Sequence, residues 1–327
     1  MTSSYQVLTD EQVEQFLSRG FVVINGCFTR AAAEEYTDGI WTRLGYSPDD
    51  QSTWAEPSIH MPSHRQIDIH TFAPKAWAAI CDLVGGASRI STTRPHSWND
   101  GFIVNLWEGG DQPWQPPQQA RANWHKDGDF FRHFLDSPEQ GLLTLVLWSD
   151  VRHQGGATFV AADSVAPVAR FLADHPEGVS PLVNPAAHLE PDPETLAAAA
   201  GPGQPAPVGF PYTEIIAGCE DFVEATGQVG DVYLIHPFLL HAKGPNTLRV
   251  PRYITNPPIS LAEPMCFDRP DPADYSLVER AVLRGLGVDR HPFTPTAERE
   301  ELTPPRILRQ QRMMAEEQTR LAASGRS

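Results

Sequence analysis

The feature that most constrains this chain is a run of short apolar segments between residues 101 and 260. FIVNLW (102–107), ANWHKD (122–127), LLTLVLW (142–148), ATFVA (157–161), DVYLIH (231–236) and RYITNPPIS (252–260) are separated by stretches rich in Gly, Pro, Asn, Asp and Ser. Segments of this length with such borders read as strands. Helices followed by many short strands with turn signals suggest a sandwich or barrel core. The N-terminal third follows another period. LTDEQVEQFLSR (8–19) reads as a helix capped by Thr9 or Asp10, with Val13, Phe16 and Leu17 at helical spacing and Gly20 ending it. FVVI (21–24) reads as a buried strand, 30–44 and 75–84 as helices, and 47–74 as polar and irregular. The expected class is α+β with a mainly β core.

At 327 residues, with 41% hydrophobic and 20% charged residues, the chain can build one large core. The expected organisation is a single domain over 1–327: core strands at about 101–262, a helical N-terminal part (1–100) and a C-terminal addition (263–327). Residues 172–229 form a long insert whose centre, HLEPDPETLAAAAGPGQPAP (188–207), has few strand signals; such a segment is either a lid or disordered, and a lid or a part of the substrate pocket is expected. The tail, 297–324, is highly charged and reads as a solvated helix. Lys+Arg 25 against Asp+Glu 41 gives a net charge of −16, which disfavours nucleic acid and anionic membrane surfaces but leaves an anionic small molecule possible as substrate. The N-terminus has no basic-then-apolar leader, and no apolar stretch approaches the ~18 residues that span a bilayer. Cys27, Cys81, Cys219 and Cys266 are far apart and match no zinc or disulfide pattern, so reduced thiols in the cytoplasm are expected. Nothing in the sequence indicates an oligomeric state.

The chemistry concentrates in NWHKDGDFF (123–131). On a strand, residues i and i+2 share a face, so His125 and Asp127 present an imidazole and a carboxylate side by side. A third ligand must come from elsewhere, and DVYLIHPFLLHAKGPN (231–246) offers His236 and His241. Two imidazoles and one carboxylate with open positions form the facial set of non-haem Fe(II) oxygenases. Arg252, eleven residues after His241, can hold a carboxylate through a bidentate guanidinium. A 2-oxo acid needs both ends held, its keto-acid end on a metal and its distal carboxylate on a cation.

Taken together, these motifs resemble the phytanoyl-CoA dioxygenase-like family of Fe(II)/2-oxoglutarate oxygenases. The resemblance covers most of residues 6–260. It rests on LTDEQVEQFLSRGFVVINGCF (8–28), WHKDGDF (124–130), DVRHQGGATFVAADS (150–164), GDVYLIHPFLLHAKGPN (230–246) and RVPRYIT (249–255). It implies a double-stranded β-helix, or jelly-roll, core with flanking helices. It also implies iron ligands at His125, Asp127 and His241, 2-oxoglutarate held by Arg252, and O2 as the oxidant. A C–H bond of a metabolite or natural-product intermediate would then be hydroxylated, with succinate and CO2 released; acyl-CoA is an alternative substrate class. Relatives often carry Gln where Lys126 stands, and P-G-S-H where this chain reads AADSV (161–165). Asp127 argues against halogenation, since halogenating relatives have Ala or Gly there.

Other readings compete at individual residues. His236 is a ligand candidate or a buried structural histidine. Asp129 competes with Asp127 but follows Gly128. Lys126 is a co-substrate contact or a solvated lysine, and Asn105 is a pocket residue or a satisfied core amide. Trp107, Trp114, Trp124, Phe130 and Phe131 wall a pocket or fill the core, and His60, His64, His70 and His96 read as loop histidines. The same three ligands would also suit a zinc hydrolase, and a jelly roll can be a pure binding module.

Overall fold

The computed structural model describes residues 5–93, 96–118, 120, 123–181, 208–304 and 306–325. In chain order the elements begin α1 (Asp10–Arg19), β1 (Phe21–Ile24), α2 (Arg30–Thr37), α3 (Ile40–Leu44), β2 (Ser58–His60) and β3 (Gln66–Asp68). They continue α4 (Ile69–Phe72), α5 (Pro74–Val84), β4 (Ser97–Asn99), β5 (Ile103–Asn105), β6 (Leu142–Leu147), β7 (Thr158–Ala161) and α6 (Val165–Ala173). The C-terminal part adds α7 (Tyr212–Ala217), β8 (Phe222–Ala225), β9 (Val232–Ile235), β10 (Leu240–Lys243), β11 (Arg252–Thr255), β12 (Pro258–Ile259), α8 (Leu277–Leu286) and α9 (Arg306–Ala323).

The strands form a seven-stranded antiparallel sheet in the order β1-β9-β6-β11-β5-β2, with β12 also on β6. A three-stranded sheet runs β10-β7-β8, and β3 pairs with β4. Every residue of β6 and β9 is buried, so these strands carry continuous apolar runs rather than alternation. Helices α1, α5, α6 and α8 contact one another or β1, so N- and C-terminal helices pack together beside this strand.

Local chemistry sets the helix ends. Thr9 makes a capping box with Gln12, and Gly20 ends α1 in the left-handed region. The expected helix over 30–44 is split at Gly39, whose φ of +90° interrupts it between α2 and α3. The insert is more ordered at its ends than its composition suggests: α6 runs into it, while α7 and β8 form its C-terminal part. Its centre, 182–207, including the residues expected to act as a lid, lies outside the described residues.

The tail departs from expectation. Helix α9 is polar, but Glu317 is fully buried. It accepts from Arg43 Nε at 2.7 Å and lies 2.8 Å from His64 Nε2. The Arg43 guanidinium, itself 5% exposed, also donates to Asp100 Oδ2 at 3.1 Å and Pro62 O at 2.6 Å. A cluster of paired charges, not an apolar stripe, fastens α9 to the N-terminal part. All four cysteines are free, and no helix among the described residues is long and apolar enough to cross a membrane.

Candidate metal centre

His241 is the second residue of β10, opposite Val160 of β7. The chain at His125 lies along the other side of β10: His125 N donates to His241 O at 3.0 Å, and His241 N to His125 O at 2.9 Å. This exchanged pair joins residues 116 positions apart (241 − 125) and sets their rings 4.6 Å centre to centre. His125 Nδ1 lies 2.7 Å from Asn123 O, and His241 Nδ1 lies 3.2 Å from Leu239 O. A carbonyl only accepts, so each Nδ1 carries a proton, and Nε2 is the atom each ring turns toward Asp127, protonated while it donates to the carboxylate and a lone-pair donor once a metal replaces that proton. Asp127 Oδ1 lies 3.6 Å from His125 Nε2, and Asp127 Oδ2 lies 3.4 Å from His241 Nε2. One donor atom from each residue falls within 4.8 Å of the others, a set that can hold a metal ion. Burial alone would raise the Asp127 pKa, but the two imidazoles outweigh it and hold the carboxylate well below its usual range.

The route to this grouping differs from regular strand alternation. His125 makes only an isolated bridge, and the chain bends at Asp127. Gly128 follows at φ +115°, and a Cβ there would meet His133 and Phe131 ring carbons at 2.6 Å. Only glycine permits this turn.

The fold also separates the two candidate histidines. Strand β9 ends at Ile235 and β10 begins at Leu240, so His236 sits in the turn between the two sheets. Its Nδ1 accepts from Phe238 N at 3.1 Å, and its Nε2 lies 3.2 Å from Val278 O. Burial lowers its pKa to about 3, so it is a neutral, satisfied histidine away from the triad. Asp129 is bound at both oxygens by Arg306, at 2.6 and 2.8 Å.

The triad opens into a cavity of about 670 Å³ lined from both sheets. Leu143, Leu145, Ile235 and Ile254 form an apolar wall, and Arg252 joins it. Arg252 is 1% exposed. Its Nε has no partner, Nη1 makes one long contact of 3.4 Å to Ile103 O, and no carboxylate among the described residues pairs with it. Burial pulls its pKa to about 9, which still leaves a cation at neutral pH. Isolating a charge from water in this way costs several kcal/mol, of order 5, unless an anion compensates it.

Lys126 also lines the cavity, but its Nζ is committed to His133 Nδ1 at 2.6 Å and Asp127 O at 3.2 Å. Burial lowers its pKa to about 7, with Asp127 and Glu139 opposing. The expectation that Asn105 faces the pocket is corrected. It is fully buried and does not line the cavity. Its Nδ2 donates to Gly244 O at 3.1 Å, and its Oδ1 accepts from Glu108 N at 3.0 Å. The backbone uses the amide, and Asn105 contributes as the register partner of Arg252.

Sequence reasoning missed Asn256, whose Nδ2 donates to Asp127 Oδ2 at 2.7 Å. Alternation along β11 carries the signal, because Arg252, Ile254 and Asn256 all line the cavity. It also missed His60, a cavity residue whose pKa burial lowers to about 4.

No family model matches the chain, and no curated protein matches it. Solved structures do resemble it. HygX from Streptomyces hygroscopicus, with nickel and 2-oxoglutarate bound, is 17% identical, with 76% of this chain and 85% of that chain covered and a TM-score of 0.40. The epimerase SnoN, in complex with Fe3+, alpha ketoglutarate and nogalamycin RO, is 17% identical over 76% of this chain and 81% of its own, with a TM-score of 0.37. The non-heme alpha ketoglutarate dependent carbocyclase SnoK from nogalamycin biosynthesis is 14% identical over 78% and 85%, with a TM-score of 0.38. Likenesses this distant carry no functional weight.

Proposed function

We propose that the protein is an Fe(II)/2-oxoglutarate-dependent oxygenase on a jelly-roll core, similar to the phytanoyl-CoA dioxygenase-like family, that hydroxylates a C–H bond of a small-molecule metabolite. The observation that carries this reading is Arg252, a buried, uncompensated guanidinium in the same cavity as a two-histidine, one-carboxylate group. A zinc hydrolase could use the same three ligands, but it has no need for that cation.

The residues fit both the metal and the co-substrate. His125 and His241 offer Nε2 lone pairs and Asp127 an ionised oxygen, the donor set of a non-haem iron site. Arg252 fits the distal carboxylate of 2-oxoglutarate, and its planar fork orients the co-substrate along the cavity. With iron held by His125, Asp127 and His241, the site would couple reduction of O2 and oxidative decarboxylation of 2-oxoglutarate to C–H oxidation, giving succinate, CO2 and the hydroxylated product. The protein's part is placement. The Nδ1–H bonds to Asn123 and Leu239 fix both imidazoles, and the Lys126 contacts hold the loop that bears Asp127. The apolar wall keeps bulk water from the co-substrate.

The test measures 2-oxoglutarate binding by calorimetry on Mn(II)-loaded protein, and succinate release with Fe(II), O2 and a panel of metabolites. Micromolar binding and succinate formation, both lost in His241→Ala, are expected. Metal binding without any 2-oxoglutarate binding would sink the oxygenase reading.

A further inference from the structure

We infer that Asn256 is a positioning residue that restricts Asp127 to a single metal-binding oxygen; the inference rests on the metal centre proposed above. Asp127 has two oxygens and can act as a one-oxygen or a two-oxygen ligand. Its Oδ2 accepts from Asn256 Nδ2 at 2.7 Å. A carboxylate only accepts, so the amide must present its NH2, which settles the amide's orientation. The hydrogen bond engages Oδ2, and Oδ1, 3.6 Å from His125 Nε2, is the oxygen left for the metal. Using one oxygen keeps a coordination position open, which a co-substrate binding through two atoms plus O2 requires.

The surroundings of Asn256 suit this task, because the residues on both sides are anchored. Thr255 Oγ1 accepts from Trp148 Nε1 at 2.9 Å. Pro257 O accepts from Thr144 N at 3.1 Å and from Thr144 Oγ1 at 2.8 Å. Pro257 and Pro258 stiffen the chain beyond it. The amide is therefore held by the sheet and does not follow Asp127 if the ligand loop moves. Arg252 and Asn256 share one face of one strand and its extension. The same element thus carries the cation expected to hold 2-oxoglutarate and the donor that orients a metal ligand.

The test uses Co(II) in place of iron, with affinity read by calorimetry and coordination by the intensity of visible d–d absorption. Asn256→Leu keeps the size and removes the donor; Asn256→Gln restores an amide; His241→Ala removes a ligand. Outer hydrogen-bond partners of metal ligands typically contribute roughly 10–100-fold in metal affinity. Asn256→Leu is therefore expected to weaken Co(II) by that factor and to change the d–d intensity, with thermal stability near wild type and partial recovery in Asn256→Gln. If Asn256→Leu matches wild type in both affinity and spectrum while His241→Ala loses the metal, the inference is wrong and the metal centre stands. If His241→Ala binds Co(II) as wild type does, the metal centre itself is refuted. Should Asn256→Leu fail to fold, Asn256→Gln and Asn256→Ser decide: a Gln spectrum nearer to wild type than that of Ser, whose donor is too short to reach, supports the inference, and a Ser spectrum as near to wild type as that of Gln overturns it.

Discussion

Arg43 and Arg252 are both almost completely buried, at 5% and 1% exposure, and they differ in what surrounds the charge. Arg43 meets two carboxylates, Glu317 and Asp100, and two backbone carbonyls, those of Pro62 and Asp100. Arg252 meets one distant carbonyl and open cavity. Burial of a guanidinium costs about as much in either place, so the difference lies in compensation. Where the protein supplies the anion, the arginine fastens two parts of the fold. Where it does not, the charge stays uncompensated in the cavity wall, and 2-oxoglutarate is the anion proposed for it.

The largest expected effect is on the fastened side. Arg43→Met leaves Glu317 and Asp100 buried without their main counter-charge. Removing one partner of a buried pair costs about 3–5 kcal/mol. Urea unfolding should show that loss, and protease should cut α9 faster. Affinity for 2-oxoglutarate should stay within a few-fold of wild type. A stability change under about 1 kcal/mol would mean that α9 is held by something other than the cluster.

The second effect lies in the cavity and has the opposite signature. Arg252→Met should cost about 2–5 kcal/mol in 2-oxoglutarate binding, or tens- to thousands-fold in Kd. It should not destabilise the unliganded protein, and a rise in thermal stability is expected, because an uncompensated buried charge disappears. Arg252→Lys should bind weakly too, since a point charge lacks the planar fork. Calorimetry on the Mn(II) form reads the first quantity and thermal unfolding the second. An Arg252→Met protein that unfolds early with normal 2-oxoglutarate affinity would make Arg252 a fastener as well.

How far the sequence reached follows the same division. His125, Asp127, His241 and Arg252 stood out because each is a chemistry-bearing residue in a short apolar context, and the fold brings the first three within hydrogen-bonding range or just beyond. Pro237 after His236 and the Gly-Pro-Asn turn after His241 favour His241 over His236, and the turn at 236–239, which sends the chain from one sheet to the other, is what separates the two. The fastening cluster was not legible. Arg43 and Glu317 are 274 positions apart (317 − 43), and a charged helix with no apolar stripe reads as solvated. Asn105 misled for a related reason: a polar residue in an apolar strand signals burial but does not say whether backbone or ligand satisfies it. Asn256 lies inside the segment read as a strand, 252–260, but nothing in RYITNPPIS says that its amide meets a carboxylate 129 positions earlier (256 − 127).

A smaller effect comes from removing both members of the fastening pair. Arg43→Met combined with Glu317→Leu takes away the buried carboxylate along with its partner, and Asp100 keeps the donors of His64 N, Arg65 N and Ser63 Oγ. Replacing a buried pair by apolar groups is often close to neutral, so the double variant should recover all but about 1 kcal/mol of the Arg43→Met loss. A double variant as unstable as the single one would mean that the pair's geometry, and not its charge balance, holds α9.

The smallest effect belongs to Arg306 and Asp129, which look like a second fastener for α9 at the cavity mouth. Their geometry is good, with two bonds of 2.6 and 2.8 Å. Their exposure, 34% and 40%, sets them apart from Arg43 and Glu317. Water already solvates both charges, so little desolvation has to be offset and little stability is gained; exposed pairs of this kind contribute about 0.2–1 kcal/mol. Arg306→Ala should therefore lower stability by less than about 1 kcal/mol, and the loss should shrink as added salt shortens the screening length below the ~8 Å of physiological ionic strength. Urea unfolding of wild type and variant at low and high salt measures both. The Arg43→Met loss should change little across the same series, because a buried pair is weakly screened. An Arg306→Ala loss above about 2 kcal/mol, insensitive to salt, would show that exposure does not separate fastening arginines from ornamental ones, and the contrast between Arg43 and Arg252 would then have to rest on cavity position alone.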